Sequence, residues 1–181
     1  MSAPLRLLIL GLGNVLCRDD GLGVFAVEIL RRQYRIPEET NVLDGGTLGL
    51  SLLPQLDNAD AVIFVDAIRI DAPAGTLVRL EGDDVLPAVR ERLSVHQIGV
   101  ADLLDAMRLL DKTPPQLILV GLVPESIDLC HGCSPPILAR MADLVERVAF
   151  EARQLGCALE LRGPDEMSDL ADPAPVFAGL V

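Results

Sequence analysis

The sequence has very few aromatic side chains: among 181 residues there is no tryptophan, one tyrosine and four phenylalanines. Half of the residues are nevertheless hydrophobic, so the core must be built from aliphatic side chains. A chain of this length can bury such a core within one α/β domain. We therefore predict a single domain over residues 1–162, followed by an acidic, proline-containing tail over residues 163–181.

Long apolar runs, positive charge and cysteine are also scarce. No stretch reaches the roughly 18 uninterrupted apolar residues of a membrane helix. The net charge of −12 disfavours nucleic acid and anionic membranes as partners, because both require a basic surface. Four cysteines do not form a disulfide scaffold in a chain of this size. The apolar run before Cys17 lacks the small residues of a signal-peptide cleavage site, so we expect a cytoplasmic protein.

The hydrophobic pattern predicts an alternation of strands and helices. An apolar run from Leu7 stops at Gly11 and Gly13, which is typical of a strand buried on both faces of a parallel sheet. A helix is expected over residues 21–34, with Asp19 or Asp20 as its N-cap. The whole pattern predicts an α/β fold, a three-layer doubly wound and mostly parallel sheet of about five strands. Helices should cover both faces, and one edge strand should be antiparallel.

Acidic residues stand where three predicted strands end. Asp20 follows the first strand, Asp44 ends the second and Asp66 ends the third, while His96 begins a later helix. Because the carboxyl ends of parallel strands share one edge of the sheet, we expect these side chains to meet there. Two carboxylates and an imidazole can bind a divalent metal and leave positions open for water or substrate. Each residue taken singly would more often be an ordinary turn, cap or surface residue.

Two other motifs invite different functions. Gly11 and Gly13 after a strand resemble part of a dinucleotide-binding loop, but Leu16 occupies the place of the third glycine. Cys130 and Cys133 have the spacing of a redox pair or of half a zinc site. No second pair lies at zinc-site spacing, so an incidental pair of loop cysteines is the favoured interpretation.

The segment over residues 11–23, Gly-Leu-Gly-Asn-Val-Leu-Cys-Arg-Asp-Asp-Gly-Leu-Gly, resembles the N-terminal signature of the NiFe-hydrogenase maturation endopeptidases. Later blocks look like those of the same family and occur in the same order: Asp44–Thr47, Val65–Ala67, His96–Gln97 and Gly121–Ser126. The resemblance extends over roughly residues 6–155, and five ordered blocks make it specific.

This resemblance implies an endopeptidase that removes a C-terminal extension from the hydrogenase large-subunit precursor after nickel insertion. It implies that nickel, supplied by the precursor, is the metal bound by Asp20, Asp66 and His96. The block associated with substrate recognition and cleavage consists of Asp44, Gly45 and Gly46. The family more often has glutamate at the position of Asp20. The shorter aspartate therefore requires a closer backbone or a bridging water.

Three questions remain open at the level of sequence. Asp44 could act as a general base or as an acceptor that orients the scissile peptide. The chain could instead be a non-enzymatic nickel-binding chaperone or scaffold, which would bind the precursor without releasing a peptide. A nucleotide-binding enzyme is a further alternative, and equilibrium binding of ATP or NAD would reveal it.

Overall fold

The structure, a computed structural model, describes residues 4–90, 98–163 and 166. The strands are β1 (Leu7–Leu12), β2 (Tyr34–Arg35), β3 (Thr40–Gly46), β4 (Ala61–Ala67), β5 (Leu77–Glu81), β6 (Gln116–Leu122) and β7 (Glu160–Leu161). The helices are α1 (Leu22–Gln33), α2 (Leu53–Leu56), α3 (Val85–Arg90), α4 (Ile98–Leu109) and α5 (Pro135–Gln154). Short 3-10 turns occupy Arg18–Gly21, Gly49–Leu52 and Gly82–Asp84.

The main sheet has five strands in the order β3-β1-β4-β6-β5. Strands β3, β1, β4 and β6 are parallel, and β5 pairs antiparallel with β6 at one edge. Leu7 of β1 lies opposite both Thr40 of β3 and Ala61 of β4. The parallel strands therefore begin at one common edge and end at the other. The predicted fold class, including its antiparallel edge strand, is confirmed.

The central strands are apolar throughout because helices cover both faces of the sheet. Every residue of β1 and β4 is buried. Alternate side chains enter opposite aliphatic cores. Ile9 packs into the core that includes α1 and α5, whereas Leu10 packs into the core that includes α2, α3 and α4. The sheet is thus a rigid support, and variation is left to the loops at its edges.

Two features differ from the sequence-based predictions or were not foreseen. Neither Asp19 nor Asp20 caps α1: its N-cap is Gly21, without a side-chain capping bond. The two aspartates belong to a preceding 3-10 turn, which directs their carboxylates toward other loops. A small second sheet pairs β2 with β7. Two-residue strands carry too little hydrophobic periodicity to be predicted from sequence.

Of the predicted tail, the structure describes only Gly163 and Glu166. A Glu166 carboxylate oxygen accepts a hydrogen bond of 2.8 Å from the guanidinium of Arg35. The boundary predicted at residue 162 stays a prediction. No helix within the described ranges has the length and apolar character needed to cross a membrane.

Candidate active site

The site expected from the sequence lies at the carboxyl edge, where the parallel strands end. Strands β3, β1 and β4 lie side by side, with β1 in the middle. After β1 the chain continues to β3, which lies next to β1 toward one edge of the sheet. After β4 it continues to β5 and β6, which lie toward the other edge. The connections therefore diverge between β1 and β4. Such a divergence leaves a crevice, which is where open α/β sheets bind their ligands.

Asp20 is held in this crevice by a tightly closed loop. Gly13 has a φ of +115°, and a Cβ there would lie 1.7 Å from the backbone oxygen of Asp20. The backbone N–H of Asn14 donates a 2.8 Å hydrogen bond to Oδ2 of Asp20, whose exposed fraction is only 2%. A loop that carries two acidic residues, Asp19 and Asp20, is also poorly suited to a nucleotide pyrophosphate, so the dinucleotide interpretation gains no support.

Asp66 lies at the end of β4 and is fully buried. Its Oδ1 accepts a 2.7 Å hydrogen bond from the backbone N–H of Ala67, which fixes the orientation of the carboxylate. Helix α1 comes unusually close to this strand, because a Cβ on Gly23 would lie 2.0 Å from the backbone oxygen of Val65. That approach places the 3-10 turn carrying Asp20 directly against the end of β4. Two separate chain segments thus bring buried carboxylates to the same crevice.

The Asp44–Gly46 block ends β3 beside this crevice. Asp44 lies opposite Gly11 of β1 and its side chain is exposed. Gly46 adopts a φ of +42°, and its carbonyl accepts a 3.0 Å hydrogen bond from the N–H of Gly13. The block is therefore bonded to the loop that encloses Asp20. An exposed carboxylate in this position suits contact with a substrate chain better than burial of a metal.

His96, the third predicted ligand, lies outside the described residues, as does Gln97. Helix α4 begins at Ile98, directly after this gap. Across residues 4–90, 98–163 and 166, no three His, Cys, Asp or Glu side chains are grouped as a metal site requires. The complete ligand set therefore stays a prediction. Its two carboxylates occupy the edge that the sequence predicted.

Asp19 has an anchoring role that is not apparent from the sequence. It is fully buried, and its Oδ2 accepts backbone hydrogen bonds from Glu125 (2.9 Å) and Ser126 (3.1 Å). Ser134 contributes both its backbone N–H (2.6 Å) and its hydroxyl (2.8 Å) to the same carboxylate. Asp19 thereby joins the loop that carries Asp20 to the connection between β6 and α5. The adjacent acids in the sequence gave no signal of which would be structural.

The cysteine pair forms no disulfide and belongs to no group of three possible metal ligands among the described residues. All four cysteines are free; Cys130 is exposed, whereas Cys133 is buried. Burial, followed by the negative charge of Asp19, raises the pKa of Cys133 to about 12. A neutral thiol is a poor nucleophile and a poor zinc ligand. The backbone of Cys130 instead forms an isolated parallel bridge with that of Cys17, so the incidental interpretation is retained.

A groove of about 390 Å³ adjoins the end of β4, between residues 69–72 and residues 123–127. Arg69 and Glu125 stand exposed on its opposite walls. Because residues 69–72 follow shortly after β4, the groove offers an open path for an extended chain near the end of that strand. The groove could not be read from the sequence, because it is formed by two loops distant in the chain.

These features define a class: a doubly wound α/β protein with an acidic site at the switch point of its sheet. A family model described as "Hydrogenase maturation protease" matches residues 24–151. The chain is 38% identical over 154 residues to the hydrogenase 2 maturation protease of Escherichia coli, covering 84% of this chain and 93% of that protein. It is 36% identical over 174 residues to the hydrogenase expression/formation protein HupD of Rhodobacter capsulatus, covering 94% and 82%.

Solved structures agree with these sequence matches. The hydrogenase maturating endopeptidase HybD from Escherichia coli superposes with a TM-score of 0.83 at 36% identity, covering 87% of this chain and 98% of that one. The NiFe-hydrogenase maturation protease HybD from Thermococcus kodakarensis gives a TM-score of 0.67 at 30% identity, covering 82% and 99%. The chain belongs to the hydrogenase maturation protease family and is an endopeptidase.

Proposed function

We propose that this endopeptidase removes the C-terminal extension of a NiFe-hydrogenase large-subunit precursor after nickel has been inserted. The observation that carries the proposal is the convergence of two buried carboxylates, Asp20 and Asp66, on one crevice of the sheet. Family membership supplies the reaction class, peptide-bond hydrolysis, and the hydrogenase context. We infer a cytoplasmic site of action, in keeping with four unpaired cysteines.

Nickel in this proposal arrives as part of the substrate. Carboxylate oxygens buried at this edge interact favourably with a divalent cation, and more strongly than they would at an exposed surface. Asp20, Asp66 and His96 would supply two oxygen donors and one nitrogen donor, which is a suitable set for a borderline metal ion. Three protein ligands leave positions that the precursor's own groups can keep. The enzyme would thus recognise a precursor that already contains its metal.

In this proposal Asp44 contacts the substrate chain and does not bind the metal. Its side chain is exposed at the end of β3, next to the loop that encloses Asp20. From this position it can accept a hydrogen bond from a peptide N–H or take a proton from an attacking water. Asp44→Asn separates the two roles, because the amide keeps an acceptor oxygen but cannot serve as a base.

The non-enzymatic scaffold interpretation is set aside, because the family consists of endopeptidases. The remaining question is whether nickel controls the cleavage. The deciding experiment mixes the protein with precursor that contains or lacks nickel and measures the mass of the precursor by intact-mass spectrometry. We expect loss of a C-terminal peptide only from the nickel-containing precursor. Equal cleavage of both forms would contradict the proposed recognition of nickel.

Variants of the predicted ligands test the site itself. Asp66→Asn keeps an oxygen that can accept the hydrogen bond from Ala67, yet removes the charge. We expect processing to fall by about a hundredfold or more, since loss of even a supporting residue costs about 10–100-fold in metal sites. His96→Ala should abolish processing with an unchanged circular dichroism spectrum. Asp60→Asn, at the opposite edge of the sheet, is the matched control and should process normally.

A further inference from the structure

Large aliphatic side chains are exposed on each loop that follows a parallel strand at the carboxyl edge. We call them the apolar collar: Leu16 after β1, Leu48 and Leu50 after β3, Ile70 after β4, and Leu129 after β6. The other exposed large apolar residues in the described part are dispersed over α4 and its end, α5 and β7: Leu109, Leu110, Phe150 and Leu161. A concentration of exposed apolar side chains around a candidate active site is typical of a docking surface.

The collar is held in place before any partner binds. The carbonyl of Leu16 accepts a 2.9 Å hydrogen bond from the N–H of Cys130, next to Leu129. The 3.0 Å hydrogen bond between Gly13 and Gly46 connects the loop after β1 to the loop after β3. The loop after β1 is therefore bonded through its backbone both to the loop after β6 and to the end of β3. A preformed surface loses little conformational entropy on binding, which favours affinity.

The width of the collar indicates the kind of partner. Its residues follow strands β3, β1, β4 and β6, which are consecutive in the sheet. Three inter-strand spacings of about 4.8 Å place the outer loops roughly 14 Å apart. An extended peptide is long enough to cross that distance, but it follows a single line about one spacing wide. The loops after β1 and β6 lead to α1 and α5 on one face of the sheet, whereas the loop after β3 leads to α2 on the other face. A single extended tail can therefore contact the 69–72 and 123–127 groove, whereas contact with the whole collar requires a folded face.

Charge further specifies that face. Exposed acidic residues stand among the collar side chains on the same loops: Asp44, Asp71, Glu125 and Asp128. Arg69 is an exposed basic residue among them. Apolar and acidic side chains that lie side by side in this way complement a face that carries apolar side chains together with lysine or arginine.

We propose that the apolar collar docks a folded face of the hydrogenase precursor, one that carries apolar and basic side chains, around the segment to be cleaved. The inference rests on the proposed function and adds a second recognition element to it. Nickel would report that the precursor is loaded, and the collar would report that the surrounding face is folded. Cleavage would then require both, because the crevice with its buried carboxylates lies inside the collar.

Two leucines of nearly equal exposure give a matched test. Leu129 in the collar is 84% exposed, and Leu109 at the end of α4, toward the opposite edge of the sheet, is 88% exposed. We expect Leu129→Asp to weaken binding of nickel-loaded precursor at least about tenfold, measured by biolayer interferometry. Leu109→Asp should change it less than about twofold. Leu48→Asp, on a different collar loop, should weaken binding as Leu129→Asp does. For both collar variants, a saturating concentration of precursor should restore the wild-type kcat.

Several outcomes would overturn the proposed docking role of the apolar collar. Equal precursor binding by the Leu129→Asp and Leu109→Asp variants is the most direct. A synthetic extension peptide that binds as tightly as the folded precursor would show that a tail alone suffices. Dimers in sedimentation equilibrium that dissociate in the Leu129→Asp variant would show a second copy of this chain as the occupant. Binding is measured separately from cleavage, so wild-type protein that binds precursor but releases no peptide contradicts the proposed function alone.

Discussion

The two edges of the parallel sheet treat acidic side chains in opposite ways. At the carboxyl edge, Asp19, Asp20 and Asp66 are buried and accept hydrogen bonds from backbone amides. At the amino edge, Asp60 is half-buried and pairs with Arg6, whose hydrogen bonds hold the pKa of that carboxyl below its usual range.

The two edges differ in what partners their carboxylates. A guanidinium cancels the charge of its partner, and an exposed pair of this kind contributes little to stability. Backbone amides orient a buried carboxylate through charge-assisted hydrogen bonds. The carboxyl edge therefore presents oriented carboxylate oxygens in a low-dielectric crevice, where electrostatic interactions are stronger than at the exposed amino edge.

The largest difference between the two edges should appear in the free energy of unfolding, when a carboxylate is removed from each. Asp19→Ala would leave the backbone amides of Glu125, Ser126 and Ser134, and the Ser134 hydroxyl, without their buried acceptor. We expect the free energy of unfolding to fall by about 3–5 kcal/mol. The measurement is equilibrium unfolding in urea.

Asp60→Ala is the control for that measurement. Its ion pair with Arg6 is exposed at the amino edge, so the unfolding midpoint should move little. Similar destabilisation by both substitutions would contradict the distinction drawn between buried, amide-bonded carboxylates and exposed, paired ones.

A second pair of variants compares backbone packing at the two edges. Gly13 and Gly82 both have positive φ, but a Cβ on Gly13 would overlap the backbone of Asp20, whereas a Cβ on Gly82 meets nothing within 4 Å. Gly82→Ala should cost about 1 kcal/mol from its backbone conformation alone. Gly13→Ala should cost about 2–4 kcal/mol, because overpacking adds to that strain.

Processing of precursor provides the second readout for these glycine variants. We expect Gly13→Ala to lose activity at temperatures where it remains folded, because Asp20 must shift. Gly82→Ala should keep full activity. A fully active Gly13→Ala enzyme would show that the closed loop is not needed to position Asp20.

The smallest expected effect is a difference in chemical reactivity between two thiols of one loop, Cys130 and Cys133. Because burial raises the pKa of Cys133 from 9.0 to about 12, the folded protein retains that proton at pH values where the unfolded chain loses it. Its contribution to stability is therefore full below pH 9 and is lost as the pH rises toward 12. Iodoacetamide at pH 8 should modify exposed Cys130 much faster than Cys133, as read by peptide mass spectrometry. Equal rates of modification at the two cysteines would contradict the burial of the Cys133 thiol.

Much of the fold could be predicted because hydrophobic pattern and chain order carry it. The apolar runs at Leu7–Leu12 and Ala61–Ala67 are long enough to indicate strands buried on both faces. The more polar strand at Leu77–Glu81 indicated an antiparallel edge. The two-residue partners β2 and β7 could not be foreseen, since so short a pairing depends on where α1 and α5 end.

The site was predictable in outline for a related reason. Parallel strands place their carboxyl ends together, so the positions of Asp20, Asp44 and Asp66 in the sequence already implied a shared edge. The different environments of these acids were not predictable. Asp19 and Asp20 are adjacent and chemically identical, yet one anchors a distant loop and the other enters the crevice.

The sequence by itself determined the order of strands and helices, the aliphatic core and the acids at the strand ends. Those properties follow from local periodicity and composition. Only the tertiary structure decided which carboxylates are buried, which amides hold them and which leucines surround the crevice. The reason is physical: burial and hydrogen bonding of a side chain depend on segments distant in the chain, such as the Glu125–Ser126 amides that bond Asp19.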